Sequence, residues 1–268
     1  MTMLAADNLS LTLDGATILD KVSASFAPGT VTVVLGPNGA GKSTLLACLA
    51  GLRAADSGVV RLGGVARTTI DRRDLARRIG FLPQTGDVHW DIDVATLIGL
   101  GRFAYRGRWG ESAADRAAIT AAMAATDVTH FATRVVNSLS GGERARVLLA
   151  RVLAGTPEWL LADEPLANLD PAHQLDGLDC LRRVAHAGAG VVVVLHDLNH
   201  AARIADQIIL MRAGRIIAQG TPDHVLTPAL IADTYGVTTY VGMTPQGQRF
   251  IIPVDRESAG LPGTMTLV

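Results

Sequence analysis

Leu9–Leu13 alternates apolar and polar residues, the pattern of a strand with one face buried. Asp14-Gly15 follows and predicts a hairpin turn. Val31–Leu35, bounded by Gly29 and Gly36, is an apolar run of strand length and suits a strand buried on both faces. Trp159–Ala162 and Val191–Leu195 read the same way. Ser43–Leu52 reads as a helix with Gly51 as its stop. Strand–helix–strand alternation of this kind predicts an α/β fold, a mainly parallel sheet with helices on both faces.

The stretch 88–155 is richer in Ala and Arg and poorer in β-branched runs. Glu111–Thr126 and Glu143–Leu153 read as helices, so 88–155 is expected to be a helical subdomain inserted into a core formed by 1–87 and 156–236. Further on, Gln207–Met211, a turn at Arg212-Ala213-Gly214 and Arg215–Ala218 predict a hairpin. Thr227-Pro228 starts a short helix by a Thr cap and a first-turn proline, Gly236 ends it, and residues 237–268 read as a small β extension of one domain spanning 1–268.

Composition narrows the classes. With 49% apolar and 18% charged residues among 268, the chain is not of the disordered type. Its formal charge of −1 lacks the basic surplus of a chain that lives on nucleic acid, so no nucleic-acid partner is expected. Two scattered cysteines, Cys48 and Cys180, make neither a disulfide framework nor a metal knuckle, and fit a reducing compartment as small core residues. No secretory signal stands at Met1–Leu9, and no apolar run is long enough to cross a bilayer.

Gly36-Pro37-Asn38-Gly39-Ala40-Gly41-Lys42-Ser43, followed by Thr44, is a complete G-x-x-x-x-G-K-S match between a predicted strand and a predicted helix. The glycines let backbone N–H groups turn inward around phosphates, and the helix start adds positive partial charge. Lys42 can reach the β- and γ-phosphates, and the Ser43 hydroxyl can ligate Mg²⁺. Trp159-Leu160-Leu161-Ala162 ends in Asp163-Glu164. At the carboxyl end of a buried strand Asp163 suits Mg²⁺, and Glu164 suits a general base that polarises an attacking water.

Leu139-Ser140-Gly141-Gly142-Glu143 reads as a helix start capped by Ser140, with Glu143 three residues on to complete a capping box. Together with the phosphate loop, Gln84, Asp163-Glu164 and His196, in that order along the chain, this stretch resembles the ATP-binding cassette (ABC) family over about residues 5–225. The resemblance implies a P-loop NTPase core with an antiparallel β subdomain and the inserted helical subdomain. It implies that Gln84 contacts Mg²⁺ and the attacking water and senses a membrane partner. Ser140, Gly141 and Gly142 would bind the γ-phosphate of ATP held by a second copy of the chain. Asn168-Leu169-Asp170 would form the loop crossing between copies, with Asp170 also capping a helix at Pro171. His196 would be the switch histidine on the γ-phosphate. Two copies packed head to tail would sandwich two ATP, and hydrolysis would open the pair.

One position departs from the family. An aromatic residue on its early strand commonly stacks on adenine. Leu9–Leu13 offers none, and Leu13 is the matching position, so weak discrimination between ATP and GTP is expected. Leu97–Trp109, with its Leu100-Gly101-Arg102-Phe103 core, and His196–Arg203 resemble the cassettes of iron–siderophore, haem and cobalamin importers, as does the run from Gly220-Thr221-Pro222 to Thr227-Pro228. That likeness implies a peripheral ATPase subunit on the cytoplasmic face of the inner membrane, working on two integral membrane permease subunits and, through them, on a substrate-binding protein. Trp90 would anchor that partner. An exporter subunit or a soluble ATPase of iron–sulfur cluster assembly are the alternative readings.

Overall fold

The computed structural model describes residues 2–84, 91–107, 110–167 and 169–256. Trp90, Trp109, Asn168 and the stretch 257–268, all singled out from sequence, lie outside the described residues.

The chain opens with an antiparallel pair, β1 (Leu4–Leu13) and β2 (Ala16–Phe26), turned at Asp14-Gly15. β3 (Val31–Leu35) runs into the phosphate loop and α1 (Lys42–Ala50), which Gly51 ends in the left-handed conformation. β4 (Ser57–Leu62), β5 (Val65–Ala66), α2 (Arg72–Arg78) and β6 (Ile79–Leu82) follow. The helical stretch holds α3 (Val94–Gly99), a 3₁₀ segment Leu100–Tyr105, α4 (Ala113–Ala125) and α5 (Gly141–Ala154). The chain then returns through β7 (Trp159–Asp163), α6 (Pro171–His186), β8 (Gly190–Val194), α7 (Leu198–Ile204), β9 (Gln207–Arg212) and β10 (Arg215–Gly220). It closes with α8 (Pro222–Val225), α9 (Pro228–Tyr235), β11 (Val237–Met243) and β12 (Arg249–Arg256).

The central sheet has the order β10-β9-β3-β8-β7-β6, parallel from β9 to β6 with β10 antiparallel at one edge. A second, antiparallel sheet runs β2-β1-β4-β5, and β11 pairs with β12 alone. Successive side chains of a strand face opposite ways, so each parallel strand feeds two cores. Val31, Val33, Leu35, Val191 and Val193 pack beneath the helical stretch and α6, whereas Val34, Val192, Val194 and Leu161 pack on α1 and the antiparallel sheet.

The helical stretch is pinned by a buried ion pair. Arg102 Nε donates to Asp115 Oδ1 at 2.7 Å, its Nη1 donates to the Ala154 carbonyl at 3.1 Å, and its guanidinium lies 3.6 Å from the centre of the Tyr105 ring. Gly101 lets this segment press on α5: a Cβ there would stand 1.9 Å from the Arg151 carbonyl oxygen. No described helix is long and apolar enough to cross a membrane. Cys48 and Cys180 are buried free thiols, as their spacing suggested.

Candidate active site

In an open parallel sheet, ligands collect at the carboxyl ends of the strands. Here the order β3-β8-β7-β6 sets four such ends side by side: the phosphate loop after β3, His196 after β8, Asp163-Glu164 at the end of β7, and Gln84 after β6. They surround a cleft of about 700 Å³ walled by Leu13, Ile18, Asn38–Thr44, Gln84, Glu164 and His196. Thus Asn38 and His196, 158 positions apart in the chain (196 − 38), share one cavity because the sheet order, not the sequence order, sets neighbours.

The phosphate loop needs its glycines at two positions above all. Gly41 caps α1 at φ 94°, and a Cβ there would meet the Ile18 carbonyl oxygen at 2.6 Å. At Gly36 (φ +150°) a Cβ would stand 2.2 Å from the Met211 carbonyl oxygen. Lys42 Nζ folds back on the loop, donating to the Gly36 carbonyl at 2.8 Å and the Pro37 carbonyl at 3.0 Å. Burial pushes its pKa down, while the nearby carboxylates of Glu164 and Asp163 oppose that shift. Bonded this way, the ammonium is held at the loop's mouth with no carboxylate partner among the described ion pairs, ready to exchange carbonyls for phosphate.

Asp163 is buried at 5% exposure, and burial raises its pKa, with the Ser43 hydroxyl bonding against that shift. Its Oδ1 is buried without a hydrogen-bond partner. A buried carboxylate oxygen left unpaired beside a serine hydroxyl is costly unless a cation joins it, so Asp163 and Ser43 fit a hard divalent ion such as Mg²⁺. Glu164 stands on a strained backbone, φ +51°, held by its N–H to the Val194 carbonyl at 3.2 Å. Its side chain gathers two others: Gln84 Nε2 donates to Oε2 at 2.7 Å, and His196 Nε2 lies 2.5 Å from Oε1.

The remaining sequence-picked residues lie elsewhere. Ser140, Gly141, Gly142 and Asp170 are not among the described residues walling the cleft. Ser140 caps α5: its Oγ accepts from Glu143 N at 3.2 Å, and its own N–H donates to Glu143 Oε2 at 2.7 Å. Those bonds, the Ser140 N–H first, hold the Glu143 carboxyl below its ordinary range. Asp170 caps α6 by accepting from His173 N at 3.0 Å. A Cβ at Gly142 would touch Leu169 at 3.2 Å, so the start of α5 packs on the segment just before Asp170. Ile18 was missed. The Asp14-Gly15 turn could have shown it, since the hairpin pairs Thr12 with Thr17 and so brings Ile18 round to the side of Leu13.

A parallel sheet whose strand ends carry a phosphate loop, a carboxylate pair and a histidine defines a P-loop nucleotide-binding protein. The ABC transporter family profile matches residues 19–167. The hemin import ATP-binding protein HmuV of Bordetella parapertussis is 45% identical over 243 residues, covering 87% of this chain and 92% of the relative. HmuV of Gloeobacter violaceus is 42% identical over 270 residues, covering 97% and 98%. Among solved structures, the MJ1267 ATP-binding cassette in its ADP conformation superposes with a TM-score of 0.76 at 26% identity, covering 88% of this chain and 98% of its own. A chain of a transporter described as metal-chelate type, caught facing inward, superposes with a TM-score of 0.82 over 95% and 98%, and at 24% identity shows the fold alone. The chain belongs to the ATP-binding subunits of the ABC transporters, a family that binds and hydrolyses ATP.

Proposed function

We propose that the chain is the motor subunit of a haem importer: a peripheral protein on the cytoplasmic face of the inner membrane that pairs head to tail around two ATP and drives two membrane permease subunits supplied by a substrate-binding protein. The observation that carries the catalytic half is the convergence of Gln84, Glu164 and His196 at the mouth of the phosphate loop. The names of the curated relatives support haem as the cargo. The dimeric MJ0796 cassette, 27% identical with a TM-score of 0.74 over 82% of this chain and 98% of its own, supports the pairing.

In this reading the loop N–H groups and Lys42 hold the phosphates. Ser43, Asp163 and Gln84 would hold Mg²⁺, which when bound supplies positive charge to the phosphate oxygens. Glu164 takes a proton from water as the water oxygen bonds to the γ-phosphorus and the bridge to ADP breaks, giving ADP and phosphate. Both its oxygens are already engaged, yet a carboxylate has about four lone-pair directions, so one water still fits. His196 and Gln84 hold that carboxylate in place. Ser140–Gly142, at the capped start of α5 and not among the residues walling the chain's own cleft, serve the ATP of the other copy, with Asp170 at the boundary.

A groove of about 560 Å³ on the far side of β6, lined by Leu52, Arg67, Ile70, Leu75 and Phe81, would receive the permease. The chain passes from Phe81 of β6 in that groove to Gln84, just beyond the strand's end, in the cleft within three residues (84 − 81), so docking and catalysis would be joined through one short segment. Proteoliposomes holding the chain with its membrane subunits and ATP are expected to take up haem delivered by a binding protein. Uptake of cobalamin or a ferric siderophore instead overturns the haem assignment alone. Recovery with soluble cluster-assembly proteins and no polytopic partner overturns the importer.

A further inference from the structure

Among the cavities that His196 lines are the nucleotide cleft and a pocket of about 370 Å³ lined also by Asp197, Leu198, Asn199, Tyr235, Val237, Ile251 and Pro253. Among the described residues its ring has one polar contact, with Glu164, and the side chain is 48% exposed. Its position is therefore set by the backbone on either side. Upstream lies β8, fixed in the middle of the sheet. Downstream lies α7, seven residues long and too short to hold its own shape.

What holds α7 is a double clasp. Asp197 caps it, accepting from Asn199 N at 2.6 Å and His200 N at 3.0 Å. The Asn199 carboxamide then reaches the C-terminal hairpin: Ile251 N donates to Oδ1 at 2.7 Å, and Nδ2 donates to the Ile251 carbonyl at 3.2 Å. One side chain satisfies both backbone groups of a strand residue, as a neighbouring strand would. Ile251 itself is 1% exposed and packs in the same core as Ala201 and Ile204 of α7. The hairpin β11–β12 thus anchors the helix that begins two residues after the histidine.

We propose that Asn199 is a positioning residue through which the C-terminal hairpin holds His196 against Glu164 and so sets the rate of ATP turnover. This rests on the reading of His196 and Glu164 as hydrolytic groups. The test is ATPase activity of the assembled transporter carrying Asn199→Ala, His196→Ala or both, with thermal unfolding as a check on folding.

Asn199→Ala is expected to lower kcat roughly tenfold while KM for ATP stays within about twofold, because losing a supporting hydrogen bond loosens a catalytic group without touching substrate contacts. Hydrogen exchange of residues 249–256 should quicken in the same variant. In the His196→Ala background the Asn199→Ala change should cost nothing further. A folded Asn199→Ala variant with unaltered kcat overturns the proposal and leaves the catalytic reading standing. So does an equal loss in both backgrounds. Unaltered turnover in His196→Ala overturns the catalytic reading itself and the proposal with it. If Asn199→Ala does not fold, Asn199→Asp carries the same comparison: it keeps the acceptor for Ile251 N–H, sets a carboxylate oxygen against the Ile251 carbonyl in place of the donor, and is expected to lower kcat, again only when His196 is present.

Discussion

His196 Nε2 stands 2.5 Å from Glu164 Oε1, so the histidine after β8 and the acid after β7 form one unit before any nucleotide contact is invoked. The unit places the carboxylate at the phosphate loop's mouth with Gln84 on its other oxygen. Glu164→Gln keeps the shape and removes the base. It is expected to leave ATP binding intact, to lower steady-state turnover by roughly 10²–10⁴-fold, and to hold the ATP-bound pair together long enough to be seen by light scattering. Turnover at the parent rate would remove Glu164 from the proton transfer.

Leu13 and Ile18 both line the cleft, and both are aliphatic; in the proposed function they would form the wall against the base. Aromatic stacking on a base is worth roughly 1–3 kcal/mol, and an aliphatic wall has no π-face to supply it. ATP and GTP should therefore be hydrolysed with similar kcat/KM. Leu13→Tyr should tighten binding of both purines together, read by equilibrium dialysis. A large preference of the parent chain for ATP would contradict the assignment of this wall to the base.

How much of this is visible without coordinates depends on where the energy comes from. Val31–Leu35, Trp159–Ala162 and Val191–Leu195 could be read because strands buried on both faces are apolar throughout. The phosphate loop and the Ser140 cap could be read because backbone geometry there demands particular residues at fixed spacing. α2 could not: Arg72–Arg78 has no buried residue, and it is held by the Asp71 cap and by Arg73 and Arg77 donating to the Ala104 carbonyl. Arg102 carries no sign of burial in its own run, since its partner Asp115 arrives from another helix. The meeting of Gln84 with Glu164 likewise depends on β6 lying beside β7, a long-range pairing that no local pattern encodes.

Asp115 gives the fold a dependence on pH. Hydrogen bonds from Ser112 N–H and hydroxyl, then the Arg102 guanidinium, hold its carboxyl far below the ordinary carboxylate range. A depressed carboxyl adds stability in full above its unfolded pKa of about 4, and that gain drains away as pH falls towards the folded value. Asp115→Asn removes the ionisation. Thermal unfolding should show the variant melting below the parent at pH 7, with the gap narrowing as the pH drops below about 4. A gap that stays constant across that range would show that the charge is not what holds the helical stretch.

Ser140 caps α5 and, in the proposed function, also completes a partner's site; two substitutions divide these roles. As the cap of α5 it accepts from Glu143 N, and losing such a cap costs about 1 kcal/mol. As part of the α5 start, it would also face ATP held by the other copy, where room matters. Ser140→Ala should lower the melting temperature slightly and weaken pairing. Ser140→Arg should lower it by a similar amount, yet abolish the ATP-dependent pair that Glu164→Gln otherwise accumulates, because a long side chain fills the space meant for phosphate. Nucleotide binding by the isolated chain should be the same in parent and both variants, since Ser140 is absent from its own cleft wall. If Ser140→Arg still pairs around ATP, or if isolated chains of the variant lose nucleotide, then α5 does not complete a partner's site and the head-to-tail arrangement is wrong.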